Sequence, residues 1–231
     1  MHHENGPTGA ADARHGALRG GLADALRERT RSLHRQAESS GIVRDILAGR
    51  ASRHGYALLL RNLLPAYREM ERSLERLRRS PRIGAVAQPA LYRSHALESD
   101  LAGLCGRRWR RTLPLLDAGD RYARAVAVAG QGHGLRLIAH AYVRYLGDLN
   151  GGRVVRQRLH RTLGLEAHHL AFYEFPAIAD LDGFRTRYRD ALDRAARDLP
   201  EIDSILDEAV AAFRLNMALS DAVQAAAAVT A

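Results

Sequence analysis

The chain contains no lysine: all 35 of its strongly basic side chains are arginine. A net charge of +9 would ordinarily direct attention to nucleic acid. Complete replacement of one basic residue type by the other is instead a compositional bias. The arginines are spread along the whole length and interleaved with carboxylates, as in Arg68-Glu69, Glu71-Arg72 and Glu75-Arg76. That is the pattern of solvated helix faces, so no nucleic-acid partner is expected. The one dense cluster, Arg107-Arg108-Trp109-Arg110-Arg111, is a candidate contact for an acidic partner, a redox protein or anionic substrate ahead of RNA. A single cysteine, Cys105, excludes an internal disulfide and any multi-cysteine metal site. It suits a reducing, cytoplasmic setting.

Long apolar runs are also missing. Residues 1–20 are rich in Gly, Ala, His and polar side chains, and read as a disordered segment, neither signal peptide nor membrane span. The small-residue tail 225–231 is far too short to cross a bilayer. No segment alternates at period two, and no Asn-Gly or Asp-Gly hairpin lies between β-branched runs. Helical periodicity remains, and it predicts a single all-α domain over 21–224. The expected helices lie near 20–38, 41–49, 53–79, 93–104, 119–130, 133–163, 166–173, 181–197 and 202–224. Pro65 should interrupt or bend the third, and Pro200 suits the first turn of the last. Nothing in the sequence requires more than a monomer.

What is present is concentrated in two segments. The run Tyr142-Val143-Arg144-Tyr145-Leu146-Gly147-Asp148-Leu149-Asn150-Gly151-Gly152 reads as helix yet holds three glycines. Each costs a helix roughly 1 kcal/mol relative to alanine. Missing side chains let a backbone bend or let something flat lie against it. The competing reading is a Gly-xxx-Gly packing seam against another helix, from Gly147 to Gly151. The second segment is Leu26 to Glu38, where Leu22, Leu26, Leu33 and Ala37 form one apolar stripe with His34 at its margin. A histidine there is usually a satisfied boundary residue. Here Glu38 follows one turn later and can fix the ring's tautomer. Arg27 stands two turns earlier, roughly 10 Å along the axis.

Together these segments resemble the haem oxygenase family. Its proximal-histidine motif matches Leu33-His34-Arg35-Gln36-Ala37-Glu38, and its distal signature matches Tyr145 to Gly152. The likeness extends from about Leu22 to Gln224, through Phe172-Tyr173-Glu174-Phe175-Pro176 and Phe213-Arg214-Leu215-Asn216. Asn150 stands where the family usually has serine. The resemblance implies a helical bundle that holds haem b between a proximal helix and a kinked distal helix. It also implies cleavage of haem at the α-meso carbon to biliverdin, CO and ferrous iron, using O₂ and an external reductant. His34 would be the iron ligand, with Glu38 beside it. Asp148 would organise a distal water network, with Tyr67, Arg144 and Tyr142 as further members. A water donor, unlike a strong acid on the outer oxygen, favours attack on the ring over O–O cleavage. Gly147, Gly151 and Gly152 would admit the ring, while Phe213 and Asn216 complete the pocket. Arg27, Arg185 and Arg189 would clamp the propionates, the last two sharing a face one turn apart. Electrons would come from a partner such as ferredoxin or a flavoprotein reductase, and no membrane anchor is expected. A non-enzymatic haem carrier is the alternative; His133, His140, His168 and His169 read as structural or exposed.

Overall fold

The structure, a computed structural model, describes residues 20–229. The expectation of disorder over 1–20 lies, but for Gly20, outside the described residues. Helix α1 (Leu22–Glu38) buries Leu22, Leu26 and Thr30 against the rest of the molecule. The later members of its stripe, Leu33 and Ala37, are only half-buried, because the C-terminal half of α1 borders a cleft. A short α2 (Gly41–Leu47) leads to α3 (Arg53–Arg76), the central helix. Its first turn is capped by Ser52, which accepts from the Gly55 amide at 3.0 Å. Pro65 does not break α3. Leu63, Leu64, Ala66 and Tyr67 around it are all buried, and packing of this kind outweighs the roughly 3 kcal/mol a proline costs a helix interior.

Around α3 pack α4 (Ser94–Cys105), α6 (Asp117–Ala129), α2 and the long α10 (Ile202–Val229). A single turn, α5 (Trp109–Thr112), lies between α4 and α6. Helix α1 lies on α10, with α9 (Leu181–Ala195) beside it. Among the described residues there is no strand. No helix among them is long and apolar enough to cross a membrane.

Three elements differ from expectation. The helix expected over 133–163 starts at Leu137 and is interrupted by one turn of π-helix, giving α7 (Leu137–Ala141), the π turn (Tyr142–Leu146) and α8 (Gly147–Leu163). The irregularity precedes the glycines; Gly147 itself has helical dihedrals. The helix expected over 166–173 is instead two 3₁₀ turns, Ala167–His169 and Ala171–Tyr173. Asp100 explains the second turn. Fully buried on α4, its carboxylate accepts from the amides of Ala171 at 2.8 Å and Phe172 at 2.9 Å. Those amides are therefore unavailable to α-helical carbonyls. Burial raises the Asp100 carboxyl to about 6, and the two amides pull it back toward the charged form. Finally, α10 runs to Val229 and not to 224, since the Ala-rich end is itself good helix-forming sequence.

Candidate active site

The cleft bordered by α1 has two adjoining lobes, of about 290 Å³ and 390 Å³. His34, Val143, Gly147, Asn150 and Phe213 line both. The first lobe is the more polar of the two and cationic, with Arg27, Arg31, Arg35 and Arg189 against Asp24. The second is largely apolar, with Val43, Ile46, Leu59, Leu63 and Phe172 on its walls. At its inner end lie Arg144, Asp148 and Asn216. One continuous slot, cationic at one end and apolar at the other, matches a flat amphiphile with acidic groups along one edge.

The glycines decide between the two readings of their segment. A Cβ on Gly147 or Gly151 would meet nothing within 4 Å. A helix-packing seam would place a neighbouring helix there; instead both positions line the cleft. Gly152 behaves differently. Its Cβ would come within 3.2 Å of the Tyr173 ring, so this glycine serves the packing of α8 on the Ala171–Tyr173 turn that Asp100 anchors.

Behind this glycine floor lies a closed polar group. The buried Asp148 carboxylate accepts from the Tyr67 hydroxyl and, at 3.2 Å, from Arg144 Nη2. Arg144 also donates from Nε to the Tyr67 oxygen at 2.8 Å and from Nη1 to Asn216 Oδ1 at 2.8 Å. Burial drives the Tyr67 phenol well above its ordinary range, which keeps it a donor. Burial also pushes the Asp148 carboxyl up, opposed by the Arg144 charge, the Tyr67 hydrogen bond and the charge of Arg93. Arg144 stays charged: its burial is outweighed by Tyr67 and Asp148. The group therefore holds a carboxylate at the cleft wall with both oxygens engaged, ready to orient water.

Across the slot, His34 is 55% exposed at its side chain and projects from the margin of α1. Its Nδ1 lies 3.4 Å from Glu38 Oε1, and the Phe213 ring sits 6.1 Å away at a 59° tilt. Among the described residues no other group touches the ring nitrogens, so Nε2 remains available as a ligand.

Most residues singled out from the sequence meet in this cleft, but two do not sit as expected. Tyr142 is separated from the Asp148 group and lines the cationic lobe, where it feels Arg189 and Arg27. One residue in the π turn faces α1 while Arg144, two residues on, faces α3 and α10. Arg185 lines neither lobe. Its guanidinium donates to Asp182 and, at 3.1 Å, to Asn150 Oδ1, so it reaches the rim only through Asn150. Sequence reasoning missed Arg31 and Arg35, which had no contrast among so many arginines. Asn150 was noted only as a departure, yet it lines both lobes.

Comparison with known proteins agrees with this geometry. The sequence model of the family described as Heme oxygenase matches residues 20–222. Heme oxygenase 1 of Nostoc sp. is 36% identical over 197 residues, covering 85% of this chain and 83% of that one. Heme oxygenase 1 of Homo sapiens is 35% identical over 206 residues, 88% of this chain and 72% of its own. Among solved structures, heme oxygenase-1 from the cyanobacterium Synechocystis sp. in complex with heme superposes with a TM-score of 0.86 at 32% identity. It covers 91% of this chain and 96% of its own.

Proposed function

The chain belongs to the haem oxygenase family, and on that footing we propose that it degrades haem with O₂ and external electrons to biliverdin, CO and ferrous iron. The observation that carries this reading is the Asp148–Tyr67–Arg144 group behind a glycine floor, facing an available histidine across an open slot. The slot fits haem on three counts. The floor lacks Cβ atoms where a ring would lie, the cations stand at one end, and a ligating nitrogen stands free. Bound haem is the substrate and supplies the iron at which O₂ and electrons meet.

The residues divide the work. His34 would hold the iron, its ring kept in place by Glu38 and Phe213. Arg27 and Arg189, joined by Arg31 and Arg35, would take the propionates. Gly147 and Gly151 put no side chain over the ring, so nothing from α8 competes for the distal position. Asp148 would hold ordered water there, with Tyr67, Arg144 and Asn216 fixing its carboxylate. The reading extends to a monomeric cytoplasmic enzyme whose catalytic domain spans 21–224. Its electron donor is a ferredoxin or a flavoprotein reductase. Addition of hemin and then ascorbate in air tests the activity: loss of the Soret band with growth of a bilin band is expected. A Soret band that persists would make the protein a carrier.

Two further results are expected. Gly151→Ala should stabilise the haem-free protein by about 1 kcal/mol, since the methyl meets nothing and alanine favours the helix. The same methyl intrudes on the ring, at a cost of about 1–3 kcal/mol, or roughly 5- to 150-fold in haem affinity. Thermal unfolding and hemin titration measure the two opposing effects. Second, the propionate cations set the in-plane rotation of the ring and should give the α isomer. Arg185→Glu combined with Arg189→Glu should give mixed isomers on chromatography of the bilins. Arg189→Glu alone should account for most of that change, because only Arg189 lines the lobe.

A further inference from the structure

Helix α1 carries His34, yet its N-terminus has no cap of its own. The N-cap position is Gly21, which supplies no side chain. The capping oxygen comes from another helix. Asp193, near the end of α9, accepts from the Ala23 amide through Oδ1 at 2.8 Å. Ala23 is the second residue of α1, one of the two positions to which a serine or aspartate at the N-cap would bond. Gly21 makes room for this arrangement. Its φ of −77° suits any residue, so the backbone does not demand glycine there. A Cβ on Gly21, however, would overlap the Asp193 carboxyl group. The carboxylate thus fills the space that the helix's own capping side chain would occupy, and its charge suits the positive end of the helix dipole.

The bond lies one turn from each of two propionate cations. Ala23 precedes Arg27 by a turn on α1, and Asp193 follows Arg189 by a turn on α9. Ala23, Arg27 and Arg189 line the cationic lobe, whereas Asp193 stays behind it. Of the two helices α9 is the fixed one, because Tyr188 and Leu192 are buried in the core. Helix α1 is held more loosely. Its Leu33 and Ala37 are half-buried, and Arg29 meets Asp207 of α10 at 2.7 Å only as a pair of exposed side chains, which contributes little. We propose that Asp193 is a positioning residue: by capping α1 from α9 it fixes the spacing of Arg27 and Arg189, and with it the in-plane angle of bound haem and the bilin isomer formed. The inference rests on the haem-degrading reading and deepens it.

Haem would be held at two places: His34 sets the centre of the ring, and the cations set the direction of its acidic edge. His34 and Arg27 ride on one helix, so a slip of α1 moves both together. Arg189 rides on α9, so the same slip changes its distance from each of them. The effect is largest at the first turn, because Ala23 lies about 16 Å along the axis from His34 and a small tilt of α1 is magnified over that length. Without Asp193 the first turn frays, and Arg27 loses its fixed relation to Arg189. No proton or electron moves in this role. The carboxylate acts only as an acceptor, so an amide oxygen in the same place should serve nearly as well.

The test compares the full-length wild type with Asp193→Ala, Asp193→Asn, Gly21→Ala and the double variant Gly21→Ser with Asp193→Ala, in which α1 regains a cap but not its tie to α9. In the haem-free protein the Ala23 amide should exchange with solvent about fivefold faster in Asp193→Ala and Gly21→Ala, the change expected from loss of one cap. Asp193→Asn should stay near wild type, and the double variant should recover the thermal midpoint. Proton NMR of the ferric haem–cyanide complex reads the in-plane angle from the ring-methyl shifts, with no turnover needed. Those shifts should match wild type in Asp193→Asn and should move in Asp193→Ala, Gly21→Ala and the double variant. With reductant in air the same three should give a second bilin isomer at about a tenth of the product, the share of a minor state close in energy. Gly21→Ala keeps the carboxylate in the chain, so it carries the test if Asp193→Ala does not fold. Wild-type ring-methyl shifts and a single isomer in the double variant would reduce Asp193 to a stabilising role and overturn the proposal. So would an Ala23 amide that exchanges no faster in Asp193→Ala, or unmoved shifts in both Asp193→Ala and Gly21→Ala. Absence of bilin from the wild type would refute the haem-degrading reading and not the positioning, which the ring-methyl shifts decide.

Discussion

Asp148→Ala is expected to bind haem almost as tightly as the wild type and to lose biliverdin formation by about a hundredfold or more, the range for a group that directs a proton. Asp148 touches the cleft only at its wall, so its loss leaves His34, the glycine floor and the cationic lobe intact. Arg144, however, is then left as a buried cation without its carboxylate. Removal of one partner from a buried pair costs about 3–5 kcal/mol, and access to the cleft places this case at the low end. A thermal midpoint that falls while hemin affinity holds would identify the two effects separately. Asp148→Asn distinguishes charge from shape, since it can still accept from Tyr67 but no longer neutralises Arg144. Wild-type bilin yield from either variant would refute the role of the carboxylate.

His34→Ala should remove the histidine–iron signature in resonance Raman spectra and abolish turnover. Added imidazole should restore both in part, because the space vacated by an exposed ring admits a free one. Glu38 lies close enough to orient the natural ring, so Glu38→Gln should weaken but not remove the signature. An unchanged axial-ligand spectrum in His34→Ala would sink the assignment. The variant's stability should barely change, since His34 contributes little buried surface.

How far the sequence revealed this site depended on the range of each interaction. His34 and Glu38 are one turn apart, and the three glycines stand close together, so their pattern was visible without a fold. Arg185 and Arg189 were equally local, yet the structure separates them, because Asp182 and Asn150 hold the first guanidinium at the rim. The 3₁₀ turn at Ala171–Tyr173 depends on Asp100, 71 residues away, and no local window contains it. The buried pair of His140 and Glu208 spans 68 residues, so His140 read only as structural or exposed. Pro65 shows the opposite case: α3 continues through a strong local breaker, because the buried residues beside it, Leu63, Leu64, Ala66 and Tyr67, hold the helix.

The π turn gives the distal segment its phase. In an unbroken α-helix each residue adds about 100°, so positions spaced by four drift by about 40° per step. From Arg136 to Asp148 the azimuth would wander by about 120°, and the two ends would face different neighbours. A π turn closes its hydrogen bond one residue later, which takes back about one residue's rotation. Tyr142–Leu146 therefore returns Asp148 to within about 20° of the line set by Arg136 and His140. Inserting one further residue between Ala141 and Gly147 would swing the carboxylate by about 100° from that line and carry the glycines with it, whereas deleting one would let the turn close as ordinary α-helix with the phase kept. The length of this helix is thus fixed by angle as much as by distance.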